Sequence, residues 1–211
     1  MKGNLIIITS PSGGGKGTLI KEVLRTTENI GYSVSYTTRA AREGEENGRD
    51  YLFVSYQEFS DLIKQGEFLE YAEVHGNFYG TSKTRVAFEI ENGRDVILEI
   101  DVQGAENIVK NFPEAVSIFI LPPSFEVLRE RLTARATETK ENLALRLKNS
   151  FGEVRKFKEF QYIVINDEKA RATRDLQNII LGERLKRVRQ TDAIQVILDS
   201  FDISKFNTFG D

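Results

Sequence analysis

The sequence predicts an α/β protein whose core is a parallel sheet flanked by helices, and three observations carry that reading. Four short runs are apolar without alternation, as strands buried on both faces are: Asn4 to Thr9, Asp95 to Ile100, Val116 to Leu121 and Tyr162 to Ile165. Each is followed by a helix candidate, and strands that alternate with helices pair in parallel through crossover helices. Between the first run and its helix lies Ser10-Pro-Ser-Gly-Gly-Gly-Lys-Gly-Thr18, a glycine-rich turn where an α/β unit opens.

Taken in order, Lys16 to Arg25 places Leu19, Ile20, Val23 and Leu24 at helical spacing. Gly31 to Phe88 differs in character. It is richer in Tyr, Phe, Thr and Gly, with short alternating runs at Ser33 to Tyr36 and Phe68 to Val74. It reads as a small α+β insertion with antiparallel pairing. Inside it, Ser55-Tyr56-Gln57-Glu58 fits a capping box ahead of Phe59, Leu62 and Ile63, which predicts a helix over Tyr56 to Lys64. His75, before Gly76-Asn77, reads as a surface turn residue. Ser124 to Lys158 reads as a helix, a polar tip at Thr137 to Lys140 and a second helix. Glu168 to about Val188 reads as one long amphipathic helix, and no signal follows Ser200.

Composition narrows the chemistry. The 211 residues include 29 Lys+Arg and 32 Asp+Glu, a net charge of −3, with Cys 0, His 1, Trp 0 and Met 1. Without Cys there is no disulfide, no thiolate zinc site and no cysteine nucleophile. One His allows at most one triad and no two-His metal site. The slight acidity argues against a general nucleic-acid binder. The run Leu5 to Ile8 stops short of the roughly 7–15 apolar residues of a secretory signal, and no stretch approaches the ~18 of a membrane span. The expected location is the cytoplasm, away from membranes. The chemistry must come from carboxylates, Lys, Arg, hydroxyls and backbone.

The turn from Ser10 to Thr18 supplies a phosphate site. Successive backbone N–H groups converge on an anion, the helix N-terminus adds its dipole, and Lys16 reaches the β- and γ-phosphates. Glycine at 13, 14 and 15 lets the backbone approach the phosphate closely. The loop departs from G-x-x-x-x-G-K-S/T at Ser10, where Gly is usual, and at Gly17, where Ser or Thr is usual. The hydroxyl that commonly holds the metal is then Thr18, or Mg²⁺ rests on phosphate oxygens and water. A second anion site is suggested by Arg39 and Arg42, three apart in S-V-S-Y-T-T-R-A-A-R. Two guanidinium groups can clamp one phosphate, with the Tyr51 and Tyr79 hydroxyls beside them. Spacing alone fits an exposed basic loop equally well. Glu70 is an acceptor-only carboxylate suited to the N1–H and N2–H₂ donors of guanine, or a solvated strand residue. Asp101 ends a buried strand where ligands sit in open α/β sheets, placed to hold Mg²⁺ through water or to accept from a base.

Blocks of sequence covering nearly the whole chain carry a resemblance: S-P-S-G-G-G-K-G-T at 10–18, S-Y-T-T-R-A-A-R-E-G-E at 35–45, N-G-R-D-Y at 47–51, G-N-F-Y-G-T at 76–81, L-E-I-D-V-Q-G at 98–104, L-P-P-S at 121–124 and I-N-D at 165–167. In these the chain resembles the guanylate kinases. The resemblance implies transfer of the γ-phosphoryl group of ATP to GMP (or dGMP), giving ADP and GDP in purine nucleotide metabolism, with Mg²⁺. It implies a P-loop NTPase-type core formed by 1–33, 89–125 and 159–211, a GMP-binding insertion at 34–88 and a helical lid at 126–158. Ser35, Glu70, Thr81 and Asp101 would hold guanine, and Arg39, Arg42, Tyr51 and Tyr79 the GMP phosphate. Ser10, Pro11, Ser12, Gly13, Gly14, Gly15, Lys16, Gly17 and Thr18 would bind ATP, with Arg131 and Arg135 from the lid and Asn166 near adenine. Lys16, Arg39, Arg135 and Arg146 would carry catalysis, and Thr18 and Asp101 the metal. Ala41 and Ala136 depart from the Pro and Gly usual in that family. Two alternatives belong beside this reading: a non-catalytic guanylate-kinase-like binding module, and a kinase for another small phosphate acceptor. A mobile insertion and lid would close over both nucleotides to exclude water.

Overall fold

The computed structural model describes residues 2–74, 76–134 and 140–201. In chain order its elements are β1 (Leu5–Thr9), α1 (Lys16–Thr26), β2 (Ile30–Tyr32), β3 (Tyr36–Thr37), β4 (Leu52–Phe53), α2 (Tyr56–Lys64), β5 (Phe68–Val74), β6 (Asn77–Ser82), α3 (Lys83–Glu91), β7 (Asp95–Glu99), α4 (Val102–Asn111), β8 (Val116–Leu121), α5 (Phe125–Ala134), α6 (Lys140–Arg155), β9 (Tyr162–Ile165), α7 (Lys169–Arg184) and α8 (Thr191–Ser200).

Strand β1 stands at the centre of a parallel sheet ordered β2-β7-β1-β8-β9. Its run lacks alternation because both its faces are covered. Ile6 and Ile8 pack with Leu19, Ile20 and Val23 of α1 and with Ala172, Leu176 and Ile180 of α7. Leu5 and Ile7 pack on the other side with Val86 of α3 and with Val102, Ala105 and Ile108 of α4. Each such side chain taken from water contributes about 1.5–3 kcal/mol. The neighbours β7 and β8 lie on opposite sides of β1. The connections therefore diverge at its C-terminal end, which is where an open α/β sheet leaves a crevice for ligands.

A second, four-stranded sheet ordered β4-β3-β6-β5 lies within residues 36–82. It has an aromatic core of its own. Phe59, fully buried on α2, stacks on Phe68 at 4.6 Å and on Phe78 at 5.4 Å between ring centroids. The capping box that starts α2 is formed: the Ser55 hydroxyl accepts from Glu58 N and the Glu58 carboxylate accepts from Ser55 N.

Several local expectations are corrected. The run Ser33 to Tyr36 is not one strand. Ile30–Tyr32 forms the edge of the core sheet, Ser33 N still donates to Ile97 O, and the chain then turns away to begin β3 at Tyr36. The second sheet is not wholly antiparallel, since β3 and β4 pair in parallel. Helix α3 lies inside the 34–88 segment, yet its Val86 is part of the core that lines β1 and β7. The helix expected from Glu168 to about Val188 ends at Arg184, because Lys186 adopts an extended conformation, and a separate helix follows at Thr191–Ser200. The readings at His75, at Arg135 to Thr139 and beyond Phe201 lie outside the described residues. Among the described residues no helix is long and apolar enough to cross a membrane.

The N-terminal ends of the central strands are tied by one buried carboxylate. Asp95 Oδ1 accepts from Asn4 N at 2.7 Å and from Asn4 Nδ2 at 2.9 Å, while Oδ2 accepts from Arg184 Nε at 2.7 Å. Arg184 Nη2 reaches on to Glu28 O at 2.8 Å, so β1, β7, α7 and the entry to β2 meet at one charge. Removing one partner of such a pair strands the other. Asp95→Ala is expected to cost roughly 3 kcal/mol of folding stability, read as a lower urea midpoint at unchanged slope.

Candidate active site

The loop after β1 forms the floor of a cavity of about 290 Å³ lined by Ser10 to Gly17 together with Glu99, Asp101, Val102, Arg146 and Glu153. Gly14 N donates to Pro11 O at 2.9 Å, closing the loop's first turn. Gly15 enters α1 at φ 88°, a left-handed conformation that L side chains avoid. Helix α1 carries no acidic residue in its first turn, so the positive end of its dipole faces the cavity without an internal counter-charge. Lys16 Nζ donates to Ile100 O at 2.7 Å and lies 4.0 Å from Glu99 Oε1. Burial pulls its pKa below the usual lysine value, opposed by the carboxylates of Glu99, Asp101 and Glu153.

Behind the loop stands Asn166. It is buried, and its Nδ2 donates to Gly14 O at 2.8 Å. Arg131 Nη2 donates to Asn166 O at 2.9 Å and Nη1 to Gly14 O at 3.4 Å. Arg131 is thus committed to two carbonyls and does not line the loop's cavity, whereas Arg146 does. Thr18 stands exposed on the first turn of α1 and is not part of that lining either. Arg135 lies outside the described residues.

A second cavity, of about 240 Å³, is lined by Tyr32, Ser35, Tyr51, Glu70, Ala72, Val74, Tyr79, Glu99, Ile100 and Asp101. Its depth is set by the pairing of β5 with β6, which places Glu70 opposite buried Thr81, whose hydroxyl donates to Glu70 Oε1 at 2.8 Å. Burial raises the Glu70 pKa, the Thr81 hydrogen bond opposes that, and the charge of Asp101 adds to it. Asp101 caps α4, with Oδ1 accepting from Gly104 N at 2.7 Å. At the mouth, the rings of Tyr51 and Tyr79 meet edge to face at 5.9 Å. The Arg39 guanidinium lies over Tyr51 at 5.3 Å and ion-pairs with Glu45 at 2.9 Å, which raises its pKa. The two arginines do not form the expected symmetric clamp: Glu45 takes Arg39 through its guanidinium but Arg42 through its backbone N–H, and the Arg42 side chain is exposed.

Three acidic residues that the sequence reading passed over belong to this arrangement. Glu45 holds Arg39, Glu153 reaches the loop from α6, and Glu99 lines both cavities with Asp101. A Cβ at Gly17 would lie 3.4 Å from Glu99 Oε1, so this carboxylate stands directly beside the loop at the position where a hydroxyl residue is usual. The sequence signal for Glu99 was its charge at the end of an otherwise apolar strand. A larger cavity of about 480 Å³, lined by Tyr32, Arg85, Phe88, Glu89 and Arg94 among others, flanks β2 and α3. It has neither a backbone anion cradle nor convergent carboxylates, and the chemistry favours the smaller pair.

Gly15 gives a direct test of the loop's construction. A Cβ there would stand 2.3 Å from Asn166 Nδ2, on a backbone that already disfavours side chains. Gly15→Ala is expected to cost roughly 1–3 kcal/mol in thermal unfolding and to break the Asn166–Gly14 hydrogen bond, seen as a shifted Asn166 side-chain amide resonance.

The comparisons with known proteins agree with this geometry. Residues 2–183 match the family model described as guanylate kinase. A guanylate kinase from Clostridium tetani is 48% identical over 193 residues, covering 92% of each chain. One from Neisseria meningitidis is 49% identical over 199 residues, covering 94% of this chain and 97% of the relative. The crystal structure of guanylate kinase from Anaplasma phagocytophilum superimposes with a TM-score of 0.73 at 36% identity over 89% of each chain. With this match spanning loop, sheet and both cavities, the chain belongs to the guanylate kinase family.

Proposed function

We propose that the chain transfers the γ-phosphoryl group of ATP to GMP, and the observation that carries the assignment is the meeting of two cavities at Glu99 and Asp101. The loop cavity takes the ATP phosphates on the backbone N–H groups of residues 15–18 and on Lys16. The second cavity takes GMP. Glu70, Thr81, Ser35 and Asp101 face the base, and Arg39, Arg42, Tyr51 and Tyr79 face its phosphate. Arg146 brings positive charge from α6 to the loop's mouth, joined by Arg135 from the lid, while Arg131 braces the back of the loop through the carbonyls of Gly14 and Asn166. Asn166 supports the adenine side of the loop.

An oxygen of the GMP phosphate attacks the γ-phosphorus, and the bond to the β–γ bridging oxygen breaks. ADP leaves with that electron pair. The nucleophile is already an anion, so no general base is required, in keeping with a single His. Catalysis then consists of alignment and of neutralising charge on the moving group. Mg²⁺ bound with ATP would neutralise phosphate oxygens and orient the γ-phosphoryl group. The carboxylates of Asp101 and Glu99 in the loop's cavity fit that ion, whereas Thr18 lies outside the cavity's lining. No group of three or more His, Cys, Asp or Glu converges as a metal site among the described residues. The insertion at 34–88 and the lid at 126–158 close on the core when both nucleotides are present, and the enzyme works on free nucleotides in the cytoplasm. Lys16, the intact loop and Arg146 favour an enzyme over a binding module without chemistry.

Phosphoryl transfer to GMP, AMP, UMP and dTMP, measured in turn with ATP in a coupled assay, tests the assignment. GMP is expected to be the best acceptor, with AMP poorer by roughly 10²-fold or more. A better acceptor than GMP overturns it.

The raised pKa of Glu70 fixes the sign of a pH effect. Ionised, Glu70 accepts from both guanine donors; protonated, it cannot. Guanine binding favours the ionised form, so GMP uptake releases a proton around and below the raised value. Affinity for GMP is expected to fall with decreasing pH, starting above the ordinary carboxylate range. Glu70→Gln is expected to weaken GMP about tenfold or more and to abolish the proton release. Calorimetric titrations in buffers of different ionisation enthalpy read both.

A further inference from the structure

One acidic side chain reaches the phosphate loop from the lid helix without a role in the mechanism above. Arg146 and Glu153 are seven residues apart on α6, two turns along one face. Both grip the same residue. Glu153 Oε2 accepts from Ser12 N at 3.0 Å, and the Ser12 hydroxyl accepts from Arg146 Nε at 2.9 Å and from Nη2 at 2.6 Å. Ser12 is thus held at its backbone and at its side chain by one helix face, and all three residues line the loop's cavity.

From this geometry we infer that Glu153 is a positioning residue of the phosphoryl transfer: with Arg146 it holds α6 on Ser12, a contact kept as the rest of the lid closes, and so sets the place from which Arg146 meets the transferring group. The inference rests on the reading that loop 10–18 binds the ATP phosphates. The role needs an acceptor in this position, because the partner is a neutral backbone N–H. Helix α6 also rests on α5 through Phe151 and Phe125, 5.0 Å between ring centroids, and Arg146 reaches Ser12 through a long side chain. Glu153 adds a second hold on the loop itself, two turns along the same face, and so narrows where Arg146 can stand. Glu153 touches the loop at Ser12 and does not line the second cavity.

The experiment compares Glu153→Ala, Glu153→Gln and Ser12→Ala with the wild type. Glu153→Ala is expected to lower kcat by about 10- to 100-fold with the KM for GMP unchanged. Glu153→Gln is expected to stay within about threefold of wild type, because the amide oxygen still accepts from Ser12 N. Ser12→Ala removes only the Arg146 arm, so its effect combined with Glu153→Ala is expected to be less than additive. Hydrogen exchange at the Ser12 amide, read on the same proteins without nucleotide, is expected to quicken about tenfold in Glu153→Ala and not in Glu153→Gln. A wild-type kcat in Glu153→Ala, equal impairment by Ala and Gln, additive effects, or unchanged exchange at Ser12 each overturns the clamp. A wild type that fails to phosphorylate GMP overturns the functional reading instead, and the exchange measurement then still decides the clamp.

Discussion

The parallel pairing of β1 with β7 is the constraint on which both cavities depend. Its register sets Ile8 beside Glu99. The residue after the end of β7, Ile100, then offers its carbonyl to two groups of the other strand's continuation: the Thr9 hydroxyl at 3.0 Å and Lys16 Nζ at 2.7 Å. One carbonyl oxygen thereby fixes the end of β1, the lysine of the loop and the start of α4. A slip of one residue in that pairing would turn Ile6 and Ile8 to the opposite face and carry Glu99 and Asp101 away from the loop. The apolar packing on both faces of β1 forbids such a slip. The core thus specifies the register, and the register specifies the site.

The electrostatics follow from that placement. The chain is slightly acidic overall, yet Lys16, Arg39 and Arg146 stand around two cavities built for anions. Each cation has a resident acceptor. Lys16 has Ile100 O with Glu99 close by, Arg39 has Glu45, and Arg146 has the Ser12 hydroxyl. Burial works against the charge on Lys16, and nearby carboxylates support it. Phosphate groups entering the loop would replace those carboxylates as the counter-charge, a substitution of one set of fixed partners for another rather than a desolvation of bare ions.

The parts of the fold written in local pattern were legible in the sequence, and the parts written in long-range contact were not. The four unalternating strands and the capped helix α2 carry their cause in adjacent residues. The two-residue strands β3 and β4 are too short for a period to show. Helix α3 buries only Val86, so its face is nearly invisible among Thr84, Arg85 and Glu89. In the site, the glycine loop could be named because its residue types alone announce the chemistry, whereas Glu70 alone fits a solvated strand residue as well and gains its guanine role from the family resemblance. Glu153 could not: it lies 141 residues from Ser12, on a charged helix where one more carboxylate is unremarked. Arg131 was recognisable as a lid cation, but not its commitment to the carbonyls of Gly14 and Asn166, which only packing decides.

The second sheet explains how a GMP site can be both well formed and movable. Phe59, Phe68 and Phe78 form a stacked core that belongs to this sheet alone, with Tyr36 edge-on to Phe68 at 5.8 Å. The residues proposed to recognise the base, Glu70 and Thr81, and those proposed to recognise its phosphate, Arg39, Tyr51 and Tyr79, all sit on strands or turns of that unit, so their mutual spacing travels with it. The chain crosses between the sheets at residues 33–35 and again at Ser82–Lys83, where Lys83 N donates to Glu67 O at 2.7 Å and Thr84 Oγ1 to Glu67 at 2.6 Å. Asp101 and Glu99, by contrast, belong to the core. On the proposed reading, a motion of the second sheet changes the distance from the GMP phosphate to the loop and, with it, the distance from Asp101 to a base held by Glu70. The wall of Glu99 and Asp101 that both cavities share is therefore where selection of the acceptor and alignment for transfer meet.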